Sequence, residues 1–209
     1  MMEKDWTGNK NSIFKTLGAS NHTEKDRQNE DYYATDPIAA KLLLEVEQFS
    51  ENIWECSSGE NHLANVFKEN GFNVRTSDII QRTETTEILD FLSKENNKSW
   101  NGDIITNPPY KFAVDFIYKA LELIPEGKKV AMFLKVQFLE GKERKKLFTK
   151  YPPKVIYVSS SRIMCAKNAN FEEMKQGGGS AVAYAWYVWE KGYNGEKKEL
   201  EKARFKVEK

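Results

Sequence analysis

The sequence predicts a three-layered α/β protein in which helices cover both faces of a mostly parallel sheet. Short apolar runs typical of buried strands alternate along the chain with segments whose apolar residues recur at helical spacing. The chain has 209 residues, of which 40% are hydrophobic and 12% aromatic, which is enough to bury a sizeable core in one domain. This alternation favours an open sheet over a barrel or a helical bundle.

Each predicted element follows from a local pattern. Strands are predicted at 52–55, 72–78, 88–91, 103–106, 129–134, 155–158 and 181–189. Asp36 and Pro37 begin the first helix, as cap and first helical residue. A second helix ends at Gly71, and two more are predicted at 111–124 and 139–151. The segment 159–180, which precedes the last strand, is predicted to be a loop.

Composition divides the chain into three regions and limits its partners. We expect a flexible polar arm at 1–31, one compact domain at 32–193 and a charged tail at 194–209. Lys plus Arg number 32 and Asp plus Glu 31, so a face that binds nucleic acid has to be a local patch. The chain shows no signal-peptide or membrane-spanning pattern, and Cys56 and Cys165 lack metal-ligand spacing. We therefore expect a cytoplasmic protein with no metal ion and no membrane partner.

Three features at the ends of predicted strands indicate a site for a ligand that contains a nucleoside. A small-residue turn with Gly59 follows the first strand, and Asp78 ends the second, 19 residues later (78 − 59). A spacing of about 20 residues is the one at which a carboxylate reaches ribose hydroxyls in such sheets. Asp90 could accept from an adenine amine, beside a hydrophobic wall that includes Phe91. The alternative is a plain turn with Asp78 and Asp90 as capping or loop acids.

The chemistry is indicated by the motif Asn107-Pro108-Pro109-Tyr110, which directly follows a buried strand. The two prolines end the strand and fix the backbone, so the Asn107 amide and the Pro108 carbonyl project as rigid acceptors. Two acceptors can bind the hydrogens of a planar NH2 group and draw its nitrogen toward a nucleophilic shape. Tyr110 would stack on a planar base that has been flipped out of a duplex. The alternative is a proline-rich turn with a packed tyrosine.

These motifs together resemble the phage-type DNA N6-adenine methyltransferase family. The residues that carry the resemblance are Asp78 and the segments 33–37, 54–60, 90–91, 107–110, 134–141 and 178–186. The likeness extends from Leu17 to Tyr193. It implies a Rossmann-like class I methyltransferase fold with a seven-strand sheet whose last strand is antiparallel. It also implies S-adenosylmethionine as the cofactor, DNA as the partner, and a phage or prophage origin in a bacterial cell.

The resemblance also implies roles for individual residues. The target amine would be bound by Asn107 and Pro108, with Tyr110 on the base. The implied cofactor residues are Tyr33, Thr35, Glu55, Ser57, Gly59, Asp78, Asp90, Phe91 and Asn107. The chain departs from the family at Asn61, where many relatives have a second glycine. A shifted loop or weaker cofactor binding could follow from this departure.

Contacts to DNA are expected from two segments. Lys142 and Arg144 belong to a basic run on the helix predicted at 139–151, whose alternative role is a solvated face. Arg162, Lys167 and Phe171 fall in the predicted 159–180 loop, whose alternative is a mobile loop without ligand contacts.

The leading hypothesis is therefore a methyltransferase that acts on adenine N6 in DNA. A second hypothesis keeps the chemistry but has adenine in RNA, or the amide of a protein glutamine, as the target. A third is a non-catalytic protein with a cofactor-binding fold that binds nucleic acid. The residues alone favour an NH2 target, and only the family resemblance favours DNA.

Overall fold

The structure, a computed structural model, describes residues 33–167, 171 and 182–195. The flexible arm predicted at 1–31 and most of the tail predicted at 194–209 lie outside the described residues. The strands are β1 Tyr33–Thr35, β2 Asn52–Glu55, β3 Asn73–Asp78, β4 Glu87–Ile88, β5 Asp103–Thr106, β6 Lys129–Lys135, β7 Val155–Val158, β8 Cys165–Lys167 and β9 Tyr184–Glu190. The α-helices are α1 Ile38–Val46, α2 His62–Glu69, α3 Ala113–Leu123 and α4 Lys142–Lys150. Short 3₁₀ helices span Tyr110–Phe112 and Val136–Leu139.

Seven strands form one sheet in the order β4-β3-β2-β5-β6-β9-β7. β9 runs antiparallel to both its neighbours, β6 and β7, and the remaining pairs are parallel. This is the predicted mostly parallel sheet with its last strand antiparallel. The strand order reverses between β2 and β5, since the chain moves outward to β3 and β4 before it returns to β5. Ligands of open α/β sheets bind outside the carboxyl ends of the strands at such a reversal.

Alternate residues of each strand pack into two separate hydrophobic cores, one on each face of the sheet. Ile53 and Ile105 face α1 and α2, whereas Trp54 and Ile104 face α3 and α4. Neighbouring side chains of a strand point to opposite faces, so strands that are apolar throughout are buried on both. The predicted helical layers on both faces are thus confirmed.

The loop predicted at 159–180 is wrong at Cys165–Lys167, which is the strand β8. It pairs antiparallel with β1 in a separate two-stranded sheet, in which Thr35 lies opposite Cys165. Strands of three residues are too short to show an alternating pattern, so nothing in the local sequence indicates them. The helix predicted from residue 139 begins instead at Lys142, after Gly141 at φ 110°.

No helix in the described part of the chain is both long enough and apolar enough to cross a membrane.

Candidate active site

Buried polar atoms without partners mark the carboxyl edge of β2 and β5. Among the described residues, three buried side-chain oxygens lack a hydrogen-bond partner: Glu55 Oε2, Thr106 Oγ1 and Asn107 Oδ1. Glu55 ends β2, Thr106 ends β5, and the two strands pair in parallel. A buried polar group without a partner costs about 1–3 kcal/mol, so its presence calls for an explanation. All three lie at the reversal of strand order, where a polar ligand would satisfy them.

The Asn107 side chain is held by the small β1–β8 sheet. Its Nδ2 donates to Thr35 Oγ1 at 2.8 Å and lies 3.9 Å from Cys165 Sγ. The amide nitrogen is thereby engaged, and Oδ1 is the atom left to accept from a ligand. Pro108 is buried next to it and fixes the turn into the 3₁₀ helix that begins at Tyr110.

Tyr110 is half-buried, and its hydroxyl donates to Cys165 Sγ at 3.6 Å. Its ring stacks on Tyr184 with 6.0 Å between ring centres, and Lys135 Nζ lies 5.1 Å from the ring centre. Burial raises the pKa of the Tyr110 hydroxyl well above its usual range and that of the Cys165 thiol to about 11. Both groups are therefore neutral at physiological pH, and neither is a strong base.

Glu55 is a buried carboxyl at the end of β2, with 2% of its surface exposed. Its pKa is raised well above its ordinary value, mainly by burial and further by the nearby Asp78 charge. A hydrogen bond from the backbone of Ala64 opposes this shift. The site can therefore hold this carboxyl in its neutral form or accommodate a cationic ligand group beside its ionised form.

Asp78 connects the end of β3 to the glycine turn. Its Oδ2 accepts from the backbone N–H of Gly59 at 2.9 Å, and its Oδ1 accepts from the N–H of Ile80 at 3.0 Å. Arg82 Nη1 lies 3.6 Å from the same Oδ1. Because a carboxylate oxygen can accept more than one hydrogen bond, ribose hydroxyls would share these oxygens with the backbone donors.

Asn61, the departure from the family pattern, adopts the left-handed conformation with φ 66° and ψ 25°. Glycine adopts this conformation freely and asparagine more readily than most residues. Its Nδ2 donates to Thr83 Oγ1 at 2.6 Å and to Thr85 Oγ1 at 3.2 Å, while its Oδ1 accepts from Thr86 Oγ1 at 3.3 Å. Asn61 thus keeps a glycine-like backbone and binds the turn to the segment between β3 and β4.

The remaining residues with implied cofactor roles lie in different environments. Ser57 is half-buried in the turn after β2, and Tyr33 is half-buried at the start of β1. Asp90 is exposed, and its Oδ1 accepts from the N–H of Leu92 at 2.9 Å.

Phe91 lies inside the core with 2% exposure, and its ring centre is 5.3 Å from that of Trp54 and 4.9 Å from that of Phe116. It therefore cannot present an open ring face to a ligand, which corrects the expected hydrophobic wall.

The residues with expected DNA roles lie on different elements of the fold. Arg144 Nη1 donates to the carbonyls of Gln137 and Glu140 at 3.0 and 2.7 Å, so its guanidinium caps the 3₁₀ helix Val136–Leu139. This engagement uses one nitrogen of the guanidinium, and the expected role of Arg144 at a phosphate stays a prediction. Lys142 is exposed at the start of α4.

Two of the other expected residues lie at β8, and the third lies beside α2. Arg162 is exposed just before the strand, and Lys167 ends it opposite Tyr33. The Phe171 ring meets the His62 ring edge-on at 5.7 Å, which places it at the start of α2, beside the glycine turn.

Sequence reasoning missed two residues that lie next to the candidate site residues. Cys165, discounted as a nucleophile, contacts Asn107 and Tyr110. Ile79 directly follows Asp78 and has 67% of its surface exposed, although it is a large apolar residue. An apolar residue straight after a strand-end acid was the available signal for Ile79. Nothing in the local sequence indicates the contacts of Cys165, since they depend on the pairing of β1 with β8.

The fold defines the class of structure: this is the Rossmann-like class I methyltransferase fold. A candidate RNA methyltransferase from Pyrococcus horikoshii is 13% identical, with a TM-score of 0.51 over 88% of this chain and 99% of that one. A candidate hemolysin from Lactococcus lactis is 14% identical, with a TM-score of 0.53 over 86% and 100%. A candidate class I S-adenosylmethionine-dependent methyltransferase from Listeria monocytogenes is 14% identical, with a TM-score of 0.50 over 77% and 60%.

At these identities the similarity establishes the fold alone. No protein-family model matches the chain, and no curated protein matches its sequence. Within the described residues, no group of three or more His, Cys, Asp or Glu side chains could hold a metal ion.

Proposed function

We propose that this chain is an S-adenosylmethionine-dependent methyltransferase that acts on an exocyclic amine, with N6 of a flipped-out adenine in DNA as its target. The observation that carries the proposal is the Asn107 amide. Its nitrogen donates to Thr35, and its buried oxygen has no partner among the described residues. That oxygen lies at the carboxyl edge of the sheet, where class I methyltransferase folds bind ligands.

The geometry suits an amine that needs alignment more than deprotonation. Asn107 Oδ1 and the Pro108 carbonyl would accept the two hydrogens of the target NH2 group and orient its lone pair. S-adenosylmethionine, when bound, supplies a methyl group already activated on a sulfonium. Methyl transfer would form the N–CH3 bond at the expense of the S–CH3 bond, whose electron pair would stay on sulfur, and the nitrogen held by Asn107 and Pro108 would lose one proton to water. Positioning and fixed dipoles are the main contribution of such a site.

The edge residues fit the parts of this cofactor. Glu55 is buried, and one of its oxygens has no hydrogen-bond partner within the described part of the chain, so it suits the cationic amino group of the methionine portion. Asp78 would accept from the ribose hydroxyls, and exposed Ile79 would cover an adenine face. Gly59 adopts φ 53°, which glycine does without strain, and its lack of a side chain would let the backbone of the turn approach the cofactor closely.

Adenine in DNA is favoured over other NH2 groups by the resemblance to the phage-type family. Lys142 and its exposed neighbours on α4 offer local positive charge for phosphates. The resemblance also supports a phage or prophage origin and activity in a bacterial cytoplasm. RNA is the second candidate, because a structural neighbour is a candidate RNA methyltransferase.

Transfer of a tritiated methyl group to DNA, RNA and protein, measured side by side, tests the proposal. We expect label in random-sequence DNA, and N6-methyladenine after its digestion to nucleosides. Label in RNA or in protein glutamine alone would replace the target but keep the chemistry. Cofactor binding with no transfer to any of the three polymers would contradict an enzymatic function.

A further inference from the structure

The two-stranded sheet of β1 and β8 contacts the side-chain amide of Asn107, on which the proposed methyl transfer depends. Thr35 on β1 and Cys165 on β8 lie opposite each other in this sheet. Thr35 Oγ1 accepts the hydrogen bond from Asn107 Nδ2 at 2.8 Å. Thr35 is 3% exposed, so water does not compete for this contact.

The direction of the Asn107 amide determines whether it can act on an amine. A carboxamide has an acceptor oxygen on one side and a donor NH2 group on the other. Only the oxygen can accept the hydrogens of a target NH2 group. The amide NH2 is itself a donor, so it would repel the hydrogens of the target. A group that binds the nitrogen side therefore selects the productive orientation.

The Cys165 thiol is the second polar group within reach of the Thr35 hydroxyl. A hydroxyl can donate or accept, so Thr35 alone would tolerate either orientation of the amide. Cys165 Sγ lies 3.9 Å from Thr35 Oγ1 and also accepts from the Tyr110 hydroxyl at 3.6 Å. If Thr35 donates its hydrogen toward this sulfur, its lone pairs remain for the N–H of Asn107.

We propose that Thr35 is a positioning residue that holds the Asn107 amide with its oxygen toward the reacting nitrogen, and that Cys165 sets the direction of the Thr35 hydroxyl. This inference rests on the proposed function. It gives Thr35 a role other than the cofactor contact implied by the family resemblance. Thr35 then needs no contact with cofactor or base, so its loss affects the rate of transfer and not binding.

The test compares Thr35→Val with Thr35→Ser. Valine keeps the branched shape and loses the acceptor, whereas serine keeps the acceptor and loses a methyl group. We expect kcat of Thr35→Val to fall about tenfold to a hundredfold, the usual effect of one lost buried hydrogen bond. The Kd for S-adenosylmethionine and the KM for DNA should stay within about twofold of wild type. Thr35→Ser should retain most of the activity.

Weaker cofactor binding in Thr35→Val at unchanged kcat would show that Thr35 is a cofactor contact and overturn the inference. Equal kcat for Thr35→Val and wild type would also overturn it. If Thr35→Val does not fold, Cys165→Ala replaces it, and its kcat should fall while cofactor binding stays intact. An unchanged kcat in Cys165→Ala would contradict the proposal that Cys165 sets the direction of the Thr35 hydroxyl.

The side-chain NH2 signal of Asn107 in NMR gives a readout that does not need activity. In the wild type its protons should exchange slowly with solvent, and in Thr35→Val they should exchange faster. Unchanged exchange would contradict the hydrogen bond even in an active enzyme. An inactive wild type with the expected exchange difference would instead reject the proposed function and leave the orientation by Thr35 standing.

Discussion

At the scale of single residues, burial and charge conflict at Glu55. The pKa of its carboxyl is higher in the folded than in the unfolded protein, chiefly because burial disfavours the ionised form. The neutral carboxyl therefore stabilises the fold at pH values below its unfolded pKa. This contribution is lost as the pH rises through the folded pKa.

Glu55→Gln removes the free-energy cost of a buried ionised carboxyl, because glutamine stays neutral at every pH. We expect the free energies of unfolding of the two proteins to be similar in acid. As the pH rises, the variant should become progressively more stable than the wild type without ligand. Urea unfolding of both proteins at several pH values measures the difference. A difference that does not change with pH would mean that the carboxyl does not titrate abnormally.

Asn61 combines a backbone and a side-chain role that two variants separate. Asn61→Gly keeps the left-handed conformation but loses the bonds to the threonines, which should cost about 1–2 kcal/mol of stability. Asn61→Ala loses the same bonds and adds backbone strain, so it should be less stable than the glycine variant by about 1 kcal/mol. Thermal unfolding would contradict this account if alanine were the more stable of the two.

Sequence reasoning located Asn107, Asp78 and Gly59 because each stands at the end of a strand that the hydrophobic pattern reveals. It did not reveal the burial of Phe91 or the hydrogen bonds of Arg144, since neither the depth of a ring nor the carbonyls within reach of a guanidinium follow from the local sequence. The structure places Phe91 in the core and bonds Arg144 to the carbonyls of Gln137 and Glu140.

At the scale of elements, α4 is the basic helix whose exposed lysines are expected to meet phosphates. Changing both Lys142 and Lys145 to Gln should weaken DNA binding and lower the slope of log Kd against log salt by about 2. Changing Lys94 and Lys98 to Gln removes the same charge from the segment between β4 and β5 and should leave the slope unchanged. Equal effects of the two pairs would mean that α4 is only a solvated face.

The short strands were the hardest elements to predict. β1 and β8 have three residues each and lie 130 residues apart at Thr35 and Cys165. β4 has two residues, and its prediction extended through Phe91. Such short strands are stabilised by pairing with strands that are distant in the sequence, so a pattern within the strand itself does not reveal them.

At the scale of the whole molecule, the fold was predictable because the same strand and helix patterns recur along the chain. Apolar strands buried on both faces and helices with one apolar side recur along the chain, and this alternation favours a parallel sheet. The reversal between β2 and β5 then places the ends of both strands together. Among the described residues, three buried oxygens without hydrogen-bond partners lie there, and no single sequence motif shows this consequence of the topology.

The most direct test of the account is methyl transfer to adenine in DNA by Asn107→Ala, measured together with its binding of S-adenosylmethionine. Because Asn107 is assigned to the target amine, transfer should fall at least about a thousandfold while the Kd for the cofactor changes little. Transfer at the wild-type rate would contradict the role of the amide oxygen. Loss of cofactor binding together with transfer would show that Asn107 serves the cofactor or the fold, and not the amine.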